Sequence, residues 1–235
     1  NSLYILTSSD PKTVVNVISQ AGEIPLNSER IFSALINNAD KLASEGTFDS
    51  WLLFDALEIL STLLNCRPDK KTEISSLVWK HAQNYMQKQD FGNAESALAF
   101  YTSLGAKEKD NSINFLKEYV EKSIDNHNIN SAISALKILF NKIDNSPATQ
   151  TQFYNLYFEK TKDLFNNDQP RYAIFYLYKL YEINNDKSIL DKTINFVDDY
   201  LNKKLSRKEY RLVVATLDEF RYWFKDRFNQ KQNYP

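Results

Sequence analysis

Two histidines, one cysteine and a handful of acidic pairs are the residues from which chemistry would have to be assembled, and their spacing assembles none. His81 and His127 stand 46 residues apart, with no HExxH pair and no carboxylate at a ligand spacing, so no metal site is expected and both read as surface or edge residues. Glycines occur only at positions 22, 46, 92 and 105, too dispersed for a phosphate-cradling loop, and no GxSxG elbow exists. Asp198–Asp199 and the Asp40/Glu45 pair read as solvated helix faces rather than an acid–base dyad. Asp125-x-His127-x-Ile129 does not match a calcium loop. Cys66 is alone, so no intramolecular disulfide and no Cys-based cluster can form. It follows Leu63–Leu64 and is expected as a small core residue. The expectation is a chain that is not an enzyme, with no catalytic residue, no metal and no cofactor.

Composition narrows the class. Lys+Arg 29 against Asp+Glu 30 gives a net charge of −1 over 235 residues, which argues against nucleic acid as the main partner, because phosphate binding needs a basic excess on one face. Gly 4 and Pro 6 are too few for the turns of a sheet protein, and Tyr 14 with Phe 15 suit thick helix–helix packing. No run of eighteen apolar residues is present to span a membrane. The chain opens on Asn1 rather than Met, which reads as a processed or trimmed start.

Caps and breakers divide the chain into roughly ten to eleven helices. A lone N-terminal helix follows Asp10–Pro11 within residues 1–25. Helical pairs are then expected over 26–70, 71–107, 108–147, 148–186 and 187–228, with a tail at 229–235, all in one domain spanning 1–235. In the second of the first two helices, Trp51, Leu52, Phe54, Leu57, Leu60 and Leu64 form the expected apolar face. The turn between the next two helices is placed at Gln89–Gly92, with the second helix running from Ala94 to Leu104. Asp110 or Asn111 is expected to start a helix over Ile113–Ile124, Pro147 to act as a breaker before a helix opened by Thr149, and Ser206 to cap the last helix from Arg207.

The second helices align on a small or apolar position. Ala94, Ala132, Ala173 and Val213 recur at steps of 38, 41 and 40, followed by Leu98, Leu136, Leu177 and Leu217 and then by Tyr101, Leu139, Leu180 and Phe220. The preceding helices match at Ala82, Val120, Thr161 and Leu201. A period near forty with two helices per unit is the mark of an α-solenoid, in which each pair relies on its neighbours for a core. The motif Ala82-x-x-Tyr85 … Gly92-x-Ala94-x-x-x-Leu98 resembles a tetratricopeptide repeat, most clearly over residues 75–106. The other pairs lack the glycine, and their steps exceed the 34 residues of that family. The expected fold is therefore all-α, an α-solenoid of antiparallel helical hairpins in a tetratricopeptide-like right-handed superhelix.

The resemblance implies a concave groove lined by the first helices. Carried over from the Ala82 pair, its positions are Ser76, Trp79, Gln83 and Met86, then Asn114, Lys117 and Glu121, then Asn155, Phe158, Lys162 and Phe165, then Asn195, Asp198 and Asn202. Asn114, Asn155 and Asn195 fall in register, and an asparagine ladder can both donate to and accept from the backbone of an extended peptide. Lys117 and Lys162 alone could take the cationic part of the family's carboxylate-holding pattern. The last helix adds Phe220, Tyr222, Trp223, Phe224 and Phe228, interleaved with Arg211, Arg221, Lys225 and Arg227, more aromatics than one buried face requires. Either a further helix or a partner covers them, or the basic residues lie over the rings as a cap, or nucleic-acid bases stack on them; Tyr222 and Trp223 are read as partner-facing.

The expected function is a non-catalytic scaffold or adaptor that binds a peptide or helix of another protein, in the groove or at the aromatic C-terminal helix. The two settings are a cell-envelope assembly factor behind a signal or anchor and a cytoplasmic adaptor. Two other classes stay open: a self-assembling structural protein joined through residues 220–228, and an enzyme with an inter-helix pocket that no motif reveals.

Overall fold

The computed structural model describes residues 13, 29–46, 50–184 and 187–231. Among them are ten α-helices and no strand: α1 (Glu29–Glu45), α2 (Ser50–Cys66), α3 (Lys71–Gln87), α4 (Phe91–Ser103), α5 (Ala106–Asp125), α6 (Ile129–Ile138), α7 (Pro147–Asn166), α8 (Pro170–Asn184), α9 (Lys187–Ser206) and α10 (Tyr210–Lys231). The all-α expectation holds. The lone helix expected within 1–25 falls outside the described residues, apart from Thr13, as does the tail beyond residue 231.

The described residues form two compact units, one through Phe115 with Ile138–Asp144 and one made of Leu116–Lys137 with the chain from Asn145 onward. In the first, α1 packs on α2, α3 on α4, and the two pairs meet through α1–α3 and α2–α4. Alanines sit where the helices approach: Ala39, Ala56, Ala82, Ala94 and Ala97 are all fully buried. Tyr85 crosses between the pairs, its hydroxyl donating to the Ala43 carbonyl. Asn93, buried on α4, donates its amide to the Gly46 carbonyl at 2.8 Å and so holds the end of α1. A π turn over Leu139–Ile143 closes this unit against α4, with Leu139, Phe140 and Ile143 buried.

In the second unit α8 is the central element, packed by α7, α9 and α10. Phe153, Tyr157, Ala173, Ile174, Tyr176, Leu177 and Leu180 make a core nearly closed to solvent. Each fully buried Phe, Ile or Leu side chain among them contributes about 1.5–3 kcal/mol by leaving water. The Tyr157 hydroxyl donates to the Tyr176 carbonyl at 3.2 Å, and burial pushes that phenol well above its ordinary pKa.

The repeat is written in the turns. Gln89, His127, Asp168 and Lys208 all hold positive φ, at 58°, 56°, 58° and 58°. They are separated by 38, 41 and 40 residues, the steps of the aligned alanines. In each, the following N–H donates to the carbonyl five residues back: Asp90 to Tyr85 at 2.9 Å, Asn128 to Ser123 at 2.7 Å, Gln169 to Leu164 at 2.9 Å and Glu209 to Lys204 at 3.0 Å. This is the Schellman closure of a helix end, made four times without glycine. The same following residue opens the next helix, as where Asp90 accepts from the Asn93 N–H.

Several boundaries correct the sequence reading. Gly92 lies inside the first turn of α4 and is not the turn residue, which is Gln89. α5 begins directly after Gly105, not at Ile113. Pro147 does not break the chain but opens α7 in the first turn, where its missing N–H costs nothing, with Ser146 as cap accepting from Thr149. Ser206 ends α9, its hydroxyl donating to Lys203, and α10 starts at Tyr210. On α2 the core face is Leu53, Ala56, Ile59, Leu60 and Leu63, while Trp51 is 77 % and Phe54 62 % exposed. Leu52, Leu57 and Leu64 are half-buried.

Candidate interaction surface

The residues expected to line a groove on the first helices separate into surface and core. Asn114, Asn155, Lys162 and Asn195 are exposed; Trp79, Gln83 and Lys117 are half-buried. Met86 is fully buried and Phe158 is 5 % exposed, so neither offers a surface to a partner. Met86 lies in the core of a helix packed by α1, α2 and α4. Phe158 meets Phe196 at 6.0 Å beneath the Lys192 ammonium. Phe165 is buried with it. Trp79 is occupied by Tyr101 and Phe115, at 4.7 and 5.1 Å. Asn155 and Asn195 belong to one unit and Asn114 to the other.

His81 is buried, a correction to its reading as an edge residue, and its Nε2 lies 2.6 Å from Asp40 Oδ1. Burial holds the imidazole below its ordinary pKa, against the pull of Asp40. Burial raises the Asp40 carboxyl, but the hydrogen bonds from His81 and Lys80 outweigh it and hold the group low. A void of about 10 Å³ beside His81, walled by apolar side chains such as Ala39, Leu53 and Val78, is too small for a substrate. Cys66 is exposed at the end of α2 instead of in the core. His127 is exposed and stacks on Tyr172 at 5.1 Å. Among the described residues no group of three His, Cys, Asp or Glu side chains could hold a metal ion, and no helix is long and apolar enough to cross a membrane.

The surface that stands out lies on α9 and α10. The buried face of α10 carries Val213, Thr216, Phe220 and Phe224. Trp223, expected to face a partner, packs on α8 instead, against Phe175 and Tyr178 at 4.7 and 5.1 Å, and its indole N–H donates to Glu219 at 2.7 Å. Tyr222 is 72 % exposed, as its partner-facing reading requires. A second stripe on α10 is apolar and exposed: Tyr210, Val214 and Leu217 are 59 %, 57 % and 40 % exposed, although the repeat aligned Leu217 with the fully buried Leu98, Leu136 and Leu177. Their spacing of four and three residues was the available signal. Beside the stripe runs an open groove of about 790 Å³, with Ile194, Val197 and Leu201 of α9 as one wall and Leu217, Phe220 and Tyr222 of α10 as the other, and with Asp198, Asp218, Arg221 and Lys225 at its rim.

The start of α10 is anchored. Lys204 is buried, its ammonium 2.6 Å from Asp168 and 2.9 Å from Glu209. Asp168 is the positive-φ residue of the α7–α8 turn, and Glu209 opens α10. The two carboxylates raise the Lys204 pKa, and the Lys204 hydrogen bond lowers that of Asp168. The groove is thus framed by fixed helices.

Comparison with protein-family models, curated proteins and solved structures finds no match for this chain.

Proposed function

We propose that this chain is a non-catalytic protein-docking scaffold, a tetratricopeptide-like stack of antiparallel helical hairpins, whose α9–α10 groove receives an amphipathic helix of a protein partner. The observation that carries this reading is the exposed apolar stripe of Tyr210, Val214 and Leu217 beside an open groove of about 790 Å³. Apolar side chains left in water on a rigid helix, next to an apolar floor and a charged rim, are the chemistry of helix-in-groove recognition. The fourfold turn geometry supports a repeat, because the same helix closure recurs at steps near forty.

A panel of fluorescent amphipathic helical peptides titrated against the purified chain tests the reading. Saturable binding is expected with the wild type and loss of binding with Val214→Asp/Leu217→Asp, while Asn155→Ala/Lys162→Ala binds normally. Binding lost only in the asparagine–lysine variant would move the site to the first helices. Turnover of a hydrolase or transferase substrate, abolished by a single groove substitution, would replace the scaffold with an enzyme.

A further inference from the structure

We infer that the helix received by this face is α10 of a second copy, packed antiparallel about a two-fold axis; the inference rests on the docking reading above and names its partner. The exposed stripe is self-complementary. Reflected about the midpoint between Ala215 and Thr216, Val214 of one copy falls opposite Leu217 of the other, an aliphatic pair. The same reflection sets Tyr210 opposite Arg221, a ring facing a guanidinium. Arg211 and Asp218, on one edge of the same face, fall within two residues of facing each other, about 3 Å along the helix axis and inside the reach of an arginine side chain, and the two-fold makes each pair twice. All six of these side chains are exposed. The chain's net charge of −1 sets little repulsion against a second copy. The groove wall of Ile194, Val197 and Leu201 extends the apolar surface beside the stripe. Contact therefore need not stop at α10.

Sedimentation equilibrium of the full chain over a micromolar concentration series tests this. The expected result is a mass twice 27.4 kDa for the wild type. A monomer mass is expected for Val214→Glu/Leu217→Glu, with helical circular dichroism unchanged because both side chains are on the surface. Arg211→Asp or Asp218→Arg alone is expected to weaken the dimer about tenfold, since two charge pairs turn repulsive, and Arg211→Asp/Asp218→Arg together to restore it. A monomer mass for the wild type throughout the series overturns the inference, as does a dimer that survives Val214→Glu/Leu217→Glu or a double swap that fails to restore. Peptide titration of the same samples separates the two claims. A monomer that still binds amphipathic peptides through Leu217 refutes the second copy and leaves the docking face standing, whereas a monomer that binds none refutes both.

Discussion

α8 and α10 are second helices of successive pairs in one unit, aligned residue for residue forty apart, and they meet opposite fates. Ile174 and Leu177 of α8 are fully buried, while their counterparts Val214 and Leu217 of α10 are 57 % and 40 % exposed. The sequence supplies apolar side chains at both places. What differs is the neighbour: α8 is packed by α7, α9 and α10, whereas the main packing of α10 among the described residues is against α8 and α9. If the pairs lend one another their core as proposed, an apolar pattern repeated on α10 is a face written for a neighbour. The difference teaches that the pattern marks where cover belongs, while the structure marks where cover is supplied from elsewhere.

The sharpest way to break this comparison is truncation. Leu177→Ala is expected to cost about 3 kcal/mol, a transfer loss plus a cavity, and Leu217→Ala less than about 1 kcal/mol, both by urea denaturation. Equal losses would mean that Leu217 is covered in the isolated chain and that the comparison is false.

Next in size is Lys204. Lys204→Gln leaves the Asp168 and Glu209 carboxylates without their shared ammonium and loosens the start of α10 while α8 keeps its packing. Hydrogen exchange is expected to speed up at residues 208–213 and to stay unchanged at 173–180. A uniform increase would show that α8 and α10 unfold as one element.

In the other unit, burial holds His81 neutral below the ordinary value of 6.5. The unfolded chain takes up that proton first, so stability is expected to fall as pH drops below about 6.5. The Asp40 carboxyl, held low in the folded state, adds its own loss only as pH falls through 3.8. Thermal melts against pH should show the first step in wild type and its absence in His81→Gln. A step retained in that variant would assign it elsewhere.

The smallest effects test the turns. Gln89→Gly relieves a positive φ and is expected to stabilise by about 0.5–1 kcal/mol. Gly92→Ala adds a methyl with no atom within 4 Å, in a helix, and is expected to stabilise by up to about 1 kcal/mol. If Gly92 were the turn residue, alanine would destabilise.

Much of the helical order was legible because small residues and large apolar ones recur at fixed steps, and Ala94, Ala132 and Ala173 proved fully buried. The turns were less legible. A glycine is the usual sign of positive φ, and here glutamine, histidine, aspartate and lysine hold it instead, forced by the packing of the helices on either side. α2 was misread by one residue along the helix. It is apolar nearly all round, so neighbouring helices, and not its own pattern, decide that Leu53 and Ala56 face inward and Trp51 outward. Met86 and Phe158 were assigned to a surface from a family resemblance, which carries no information on the side-chain volume that this core had to fill. The α9–α10 surface was half legible: Tyr222 was singled out, but Leu217 repeats the core position of Leu98, Leu136 and Leu177, and its exposure is visible only once the neighbours are placed.

The docking claim is tested most directly by amide hydrogen exchange of the full chain, alone and saturated with an amphipathic helical peptide. The account predicts slowing confined to α9 and α10, strongest around Val214 and Leu217. Slowing along the first helices instead, around Gln83, Asn114 and Asn155, would contradict it.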